Sequence, residues 1–334
     1  MVSEIDKLVK SLQKDYGSLR IANSENEKFE FISTGIRSLD LALGGGVVWG
    51  VVVENIGLSQ SGKTTIMQKL LANAQKEYDV VGIWIDREKS WYSDRAEQLG
   101  IDTKKVIVVD PTDTPSIIQV ESLIKDIISS LDKETYKFIA IDSISAFCDP
   151  LALDKTDMGQ RAKELHRFFR KIIPIIDSKT IINVSNHITF KPGILFGNPK
   201  TTSGGESVRY YSTFRIEFTE LRNIIDETKG GRKIGNWIKA TIIKTRRGPN
   251  NRSIVFPHYF DEGILYNGGY TRTLVDNNYI QPKNKSEFAL FKQHTVKYKD
   301  KQLSEFDLEN KLDEFPELLF DKWPDWYNDN SGDK

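Results

Sequence analysis

Apolar residues along the chain follow two rhythms, and the alternation between them outlines an architecture. Short apolar runs at VVV (51–53), VVGIWID (80–86), KVIVVD (105–110), KFIAID (137–142) and TIINVSN (180–186) predict buried strands. Helical spacing recurs between them, in IMQKLLANAQKEY, SDRAEQLGID, PSIIQVESLIKDIISSL (115–131) and the basic QRAKELHRFFRKIIPII (160–176). Strands alternating with helices predict an α/β fold with a mostly parallel sheet flanked by helices on both faces. Ligands of such sheets sit at the carboxyl ends of the strands.

The flanks differ. Residues 4–16 place Ile5, Leu8, Val9, Leu12 and Tyr16 on one helical face, and SLRIAN after them reads as a short strand. This arm, 1–30, either folds back on its own domain or packs on a neighbouring subunit. STGIRSLDLALGGG opens a core over 31–264. Within it, 190–207 is rich in Gly, Pro, Ser and Thr without periodicity, which marks a functional or a disordered loop. TFRIEFTEL (213–221) and NWIKATIIKTRRG (236–248) read as strands, and SIVFPHYFDEGILY (253–266) continues the sheet. A smaller unit, 265–334, follows as short helices and a hairpin.

Composition narrows the class. The 334 residues are 39% hydrophobic and 28% charged, as suits a soluble globular protein. No apolar run approaches the ~18 residues of a membrane span. With no signal-peptide pattern and one cysteine, Cys148, a reducing cytoplasm is the expected compartment and an internal disulfide or multi-cysteine zinc site is excluded. Net charge is zero, yet residues 161–252 hold 19 Lys and Arg against 7 Asp and Glu, and 304–334 hold 3 Lys against 10 Asp and Glu. That asymmetry points to a polyanion-binding middle and an acidic tail, or to solvated faces.

The chemistry gathers at strand ends. GLSQSGKTT (57–65) is the G-x-x-x-x-G-K-[ST] pattern between a strand and a helix. Gly57 and Gly62 bound a loop through Ser59, Gln60 and Ser61 whose backbone amides can wrap a β-phosphate, and the helix that follows adds positive charge at its N-terminus. Lys63 is expected to reach the β- and γ-phosphates, and the Thr64 hydroxyl, with Thr65 beside it, to ligate Mg²⁺. Asp142, after FIAI, fits the Walker B carboxylate behind that metal; the alternative is a strand-end Asp capping a turn. Glu88, two residues beyond its strand, is the candidate to orient and activate water, with Asp86 structural. His187 is either a structural hydrogen-bonder or a γ-phosphate contact. Lys244, Arg246 and Arg247 either meet nucleic acid, reach the triphosphate of an adjacent subunit, or form a solvated edge.

Several separate stretches resemble the RecA family of DNA recombinases, including the phage UvsX type. GLSQSGKTT resembles its phosphate loop, IDREKSWYSDRAEQLGID its catalytic-Glu segment, and FIAIDSISAF its Walker B strand. DMGQRAKELHRFFRK resembles its first DNA-binding loop, near 150–163, and GNPKTTSGGES its second. The resemblance implies ATP and Mg²⁺ as cofactors, with ATP bound between subunits of a helical filament on single-stranded DNA. It gives Glu88 the catalytic role and makes His187 a γ-phosphate sensor. Tyr210, Lys244 and Arg246 become groups reaching across a subunit interface. Met158, Lys163, Arg170, Gly204, Gly205 and Glu206 become DNA-loop positions. The family's adenine-stacking Tyr falls on Arg95, so stacking comes from Arg95 or shifts to Tyr92. The second loop's apolar wedge falls on Pro192, with Phe190 as substitute.

The activity implied is a DNA-dependent ATPase that pairs single-stranded DNA with homologous double-stranded DNA, with single-strand-binding and mediator proteins as further partners. A phage-encoded chain would work in the host cytoplasm. The rivals are a ring helicase on the same core and a mediator without strand exchange.

Overall fold

The computed structural model describes residues 4–16, 19, 21, 30–114, 116–147, 155–190, 200–202, 206–226, 230–246, 248, 250–276, 281–282, 295–298, 301–304, 309–310, 312–314 and 319, with the side chains of 155–161, 190, 281–282, 295–298 and 301–304 outside that description. The chain divides into two compact units, 1–30 and 31–334. In the first, helix α1 (Glu4–Leu12) buries none of its residues and exposes Ile5 and Leu8. Most of the SLRIAN segment lies outside the described residues.

In the second unit, after the short pair β1 (Phe31–Ile32) and β2 (Val47–Val48), which flank α2 (Arg37–Leu43), the strands of the main sheet are β3 (Val52–Gly57), β4 (Val80–Asp86), β5 (Val106–Val109), β6 (Tyr136–Asp142), β7 (Thr180–Phe190), β9 (Phe214–Asp226), β10 (Arg232–Lys244) and β11 (Ser253–Tyr259). They lie in the order β11-β10-β9-β3-β7-β6-β4-β5, and β8 (Lys200–Thr202) pairs with the end of β7. From β9 to β5 every pairing is parallel; β10 runs antiparallel to both neighbours. The chain thus sets β3 between β7 and β9, so the phosphate loop emerges where three strand ends converge.

Alternation within each strand sorts residues to the two faces. Val53, Trp84, Phe138, Ala140 and Ile181 join one core with Ile66, Leu70 and Leu71 of α3 (Lys63–Glu77). Val52, Ile83, Ile85, Ile139, Ile141 and Val184 join the other, with Val120 and Ile124 of α5 (Ile117–Ser130) and Leu165, Phe168 and Phe169 of α6 (Lys155–Ile172). Helices therefore cover both faces. Helix α4 (Ser93–Gln98), α7 (Glu206–Tyr211) and α8 (Tyr270–Asp276) complete the set, with a small sheet of β12 (Gln281–Pro282), β13 (Thr295–Tyr298) and β14 (Lys301–Ser304).

Boundaries depart from the apolar pattern for identifiable reasons. Helix α6 stops at Ile172 because Pro174 supplies no amide to continue it, and a 3₁₀ turn follows. The β9–β10 hairpin extends past its apolar segments because its outer residues are mostly exposed, so polar positions continue the ladder. Strand β11 ends at Tyr259 rather than running on to Tyr266, because Tyr259 and Gly263 exchange backbone hydrogen bonds across a turn with Gly263 at φ +76°.

Candidate active site

The phosphate loop depends on its two glycines. A Cβ on Gly57 would stand 2.6 Å from the Phe218 carbonyl of the paired strand β9, and one on Gly62, at φ +85°, 2.8 Å from Ile238 Cδ1. Helix α3 starts directly after Gly62, so the loop amides of 59–65 gather at its N-terminus. Lys63 Nζ donates to the carbonyls of Gly57 (3.2 Å) and Leu58 (2.8 Å), folding the ammonium over the loop. Burial lowers its pKa, while the charges of Asp142 and Glu88 oppose that.

Parallel pairing sets Asp86 opposite Asp142, but their partners differ. Asp86 accepts the amides of Ser90 (3.0 Å) and Trp91 (2.9 Å), which makes it a turn-holding group. Buried Asp142 accepts the Thr64 hydroxyl at 2.7 Å and also the Ser185 hydroxyl. Burial raises its pKa, and those two bonds oppose the rise. A carboxylate whose charge is disfavoured by burial, touching a hydroxyl, is a place that welcomes a cation.

Glu88 sits beyond β4 and is bonded by the Ser143 hydroxyl, and its Oε1 lies 3.0 Å from His187 Nε2. The His187 bond holds the Glu88 carboxyl well below its usual 4.5, at about 2, helped by Ser143 and Lys63 and opposed by burial. Strand register explains the meeting: Gly57 pairs with His187, placing the β7 residue beside the phosphate loop.

These groups line one cavity of about 360 Å³. Ser59, Gln60, Ser61, Gly62, Lys63, Thr64 and Thr65 form its floor, and Glu88, Asp142 and His187 stand on its wall. Lys233, Asn236, His258 and Phe260 close it, and sequence reading missed all four. They come from β10, β11 and the turn after it, where Asn236 pairs with His258 in the antiparallel ladder. The HYFDEG turn, an aromatic cluster at a strand end, was their only local sign. Burial, with Arg95 nearby, pushes His258 down to about 4. Neither Tyr92 nor Arg95 is among the lining residues. Tyr92 is exposed, and Arg95 gives its guanidinium to Gln98 (3.2 Å) and to the Asp261 carbonyl (3.0 Å), bracing the turn that carries Phe260.

A second cavity, of about 450 Å³, brings Tyr210, Lys244 and Arg246 together with Glu206, Arg209 and Arg215. Lys244 Nζ donates to the carbonyls of Arg209 (2.8 Å) and Tyr210 (3.2 Å), pinning the end of α7 to the end of β10. Burial, then Arg246 and Arg215, lower the Lys244 pKa. Glu206 pairs with Arg209 at 3.2 Å, which places it at this cavity. Lys163 and Arg170 are exposed on α6, opposite its buried Leu165, Phe168 and Phe169. Gly204 and Gly205 lie outside the described residues, as do the side chains of Met158 in α6 and Phe190 at the end of β7.

Comparison with known proteins matches residues 3–265 to the RecA N-terminal domain. The chain belongs to the RecA family. It is 32% identical over 275 residues to the Protein RecA of Sulfurovum sp. strain NBC37-1, covering 79% of this chain and 76% of that one. The Protein RecA of Clostridium acetobutylicum is 30% identical over 287 residues, covering 83% of this chain and 79% of that one. That of Streptomyces coelicolor is 29% identical over 287 residues, covering 83% and 74%. These three relatives are bacterial, and they lend no support to the expected phage type. The mixed, mostly parallel sheet flanked by helices is consistent with a RecA-like core. Among the described residues no helix is long and apolar enough to cross a membrane.

Proposed function

We propose that this RecA-family chain is a DNA-dependent ATPase that assembles helical filaments on single-stranded DNA and catalyses homologous pairing and strand exchange. The observation that supports it best is the presence of two complementary half-sites on one chain. One is the phosphate-loop cavity with Glu88 and His187; the other is the cationic cavity of Tyr210, Lys244 and Arg246.

In this reading the amides of 59–65 hold the ATP phosphates, and Lys63 swings from the Gly57 and Leu58 carbonyls onto the β- and γ-oxygens. Thr64 and Asp142 suit Mg²⁺, which takes oxygen ligands and shares them with phosphate. Mg²⁺ held by these residues would supply positive charge to the phosphates. Glu88, bonded by His187 and Ser143 beside the phosphate loop, is placed to orient and activate the attacking water. Phe260 and His258 offer flat faces for the base, the role expected of Tyr92 or Arg95. Lys244 and Arg246 of the next subunit stabilise charge on the transferred phosphoryl. Lys163 and Arg170 neutralise DNA phosphates, which adds affinity without sequence preference, as homology search requires. The arm with α1 links subunits.

Electron microscopy with single-stranded DNA and a slowly hydrolysed ATP analogue, followed by a strand-exchange assay, tests the proposal. Helical filaments that exchange strands are expected. Rings, or no assembly, would overturn it.

A further inference from the structure

Inside the main sheet, β3 carries a carboxylate with no exposed surface, Glu54. Register sets it beside Val184 of β7 and Arg215 of β9. Oε2 accepts Arg215 Nε at 2.5 Å, and Oε1 accepts Asn186 Nδ2 at 2.8 Å. One carboxylate therefore joins the strands on either side of the phosphate-loop strand, with one oxygen committed to each.

The two partners lead to different sites. Arg215 lines the cationic cavity with Tyr210, Lys244 and Arg246. Asn186 immediately precedes His187, the partner of Glu88. The other amide atom of Asn186, Oδ1, is buried without a hydrogen-bond partner among the described residues, so the bond to Glu54 is the anchor of that side chain. Stability alone gives a poor account of this arrangement. Desolvating an ion pair costs about as much as its attraction returns, and apolar side chains of similar volume serve as well or better. Val52 and Ile56, two residues to either side on the same face of β3, are apolar and buried. What the pair adds is a mechanical link: with Asn186 on Oε1, Arg215 has one oxygen, whereas an unshared carboxylate takes a guanidinium through both oxygens as a fork.

We propose that Glu54 is a positioning residue that couples the nucleotide-reading end of β7 to the cationic cavity facing the next subunit. Movement of His187 toward a bound nucleotide shifts Asn186, and the Asn186–Glu54 bond then sets how far Arg215 is presented to that cavity. The inference rests on the filament reading above and extends it to a route between the two half-sites.

The test uses the full chain and two readouts: affinity for a fluorescent ATP analogue below the assembly concentration, and the protein concentration giving half-maximal ATPase on single-stranded DNA. Asn186→Ala leaves the buried ion pair intact. It is expected to change the first readout by less than about threefold and to raise the second by about tenfold or more, a coupling of ordinary allosteric size. In the doubly neutral background of Glu54→Gln with Arg215→Gln, which leaves no unpaired buried charge, Asn186→Ala should add nothing, because the route is already cut. Equal change in both readouts, no change in either, or a full additional effect in the neutral background would each overturn the coupling. A wild-type protein without DNA-dependent ATPase is recognised before any variant is compared, and it overturns the functional reading itself.

Discussion

Replacing His187 by Ala separates two ways in which the ring could serve Glu88. The ring is the largest cause of the depressed carboxyl pKa, about 2 against a usual 4.5. Removing it lets that value climb back toward 4.5, while Ser143 and Lys63 still hold it down. Even fully restored, the carboxyl stays ionised at pH 6 and above, so no protonation step enters the working range. What is lost is one charge-assisted bond that fixes the carboxylate, worth about 1.5–3 kcal/mol when enclosed. The Glu88 side chain is 40% exposed, and solvent screening trims the figure to about 1–2 kcal/mol, a factor of about 5–30 in rate. Glu88→Gln removes the water-orienting charge itself and should cost about 10²–10⁴-fold. The assay is ATP turnover on saturating single-stranded DNA between pH 6 and 8.5 for wild type, His187→Ala and Glu88→Gln. The reasoning fails if His187→Ala acquires an acid limb near pH 6–7, or if it falls as far as Glu88→Gln.

Other expectations concern neighbouring parts of the site. Lys63→Ala should abolish turnover, and so should Lys244→Ala with Arg246→Ala; mixing the two inactive proteins on single-stranded DNA should restore part of the activity, because some interfaces then join an intact half of each kind. No recovery on mixing would argue that both halves act within one subunit. Gly57→Ala should lower stability by about 1–3 kcal/mol, since its methyl meets a backbone carbonyl held in the β3–β9 ladder; an unchanged melting temperature counts against that packing. Because folding depresses the Glu88 pKa, its stabilising contribution is present above pH 4.5 and drains away toward pH 2. The difference in unfolding midpoint between wild type and Glu88→Gln should narrow from pH 5 to pH 3, and a gap that widens contradicts the sign.

Legibility in the sequence followed locality. The phosphate loop, Asp142 and Glu88 were readable because each sits within a few residues of an apolar strand that announces its own end. His187 was readable as a position, but its bond to Glu88 depends on the order of strands, which periodicity does not encode. Asn236 and His258 escaped because antiparallel pairing of β10 with β11 brings them to a loop nearly two hundred residues earlier in the chain. Glu54 was harder still. Within VVVEN it interrupts an apolar run, and nothing nearby in sequence hints at Arg215. The adenine contact expected of Tyr92 or Arg95 is not decided by periodicity either: Tyr92 is exposed, and Arg95 donates to the Asp261 carbonyl.

Strand β10 carries Lys233 and Asn236 on the nucleotide cavity near one end and Lys244 on the cationic cavity at the other. Asn236 and Lys244 are eight residues apart along the extended strand, a span of about 25 Å. In the proposed filament each nucleotide cavity meets the cations of the next subunit, a heterologous contact that runs head to tail rather than closing in a two-fold pair. A proposed filament built this way has unlike ends, one offering an open nucleotide cavity and the other bare cations, and growth and loss at those ends need not proceed at the same rate.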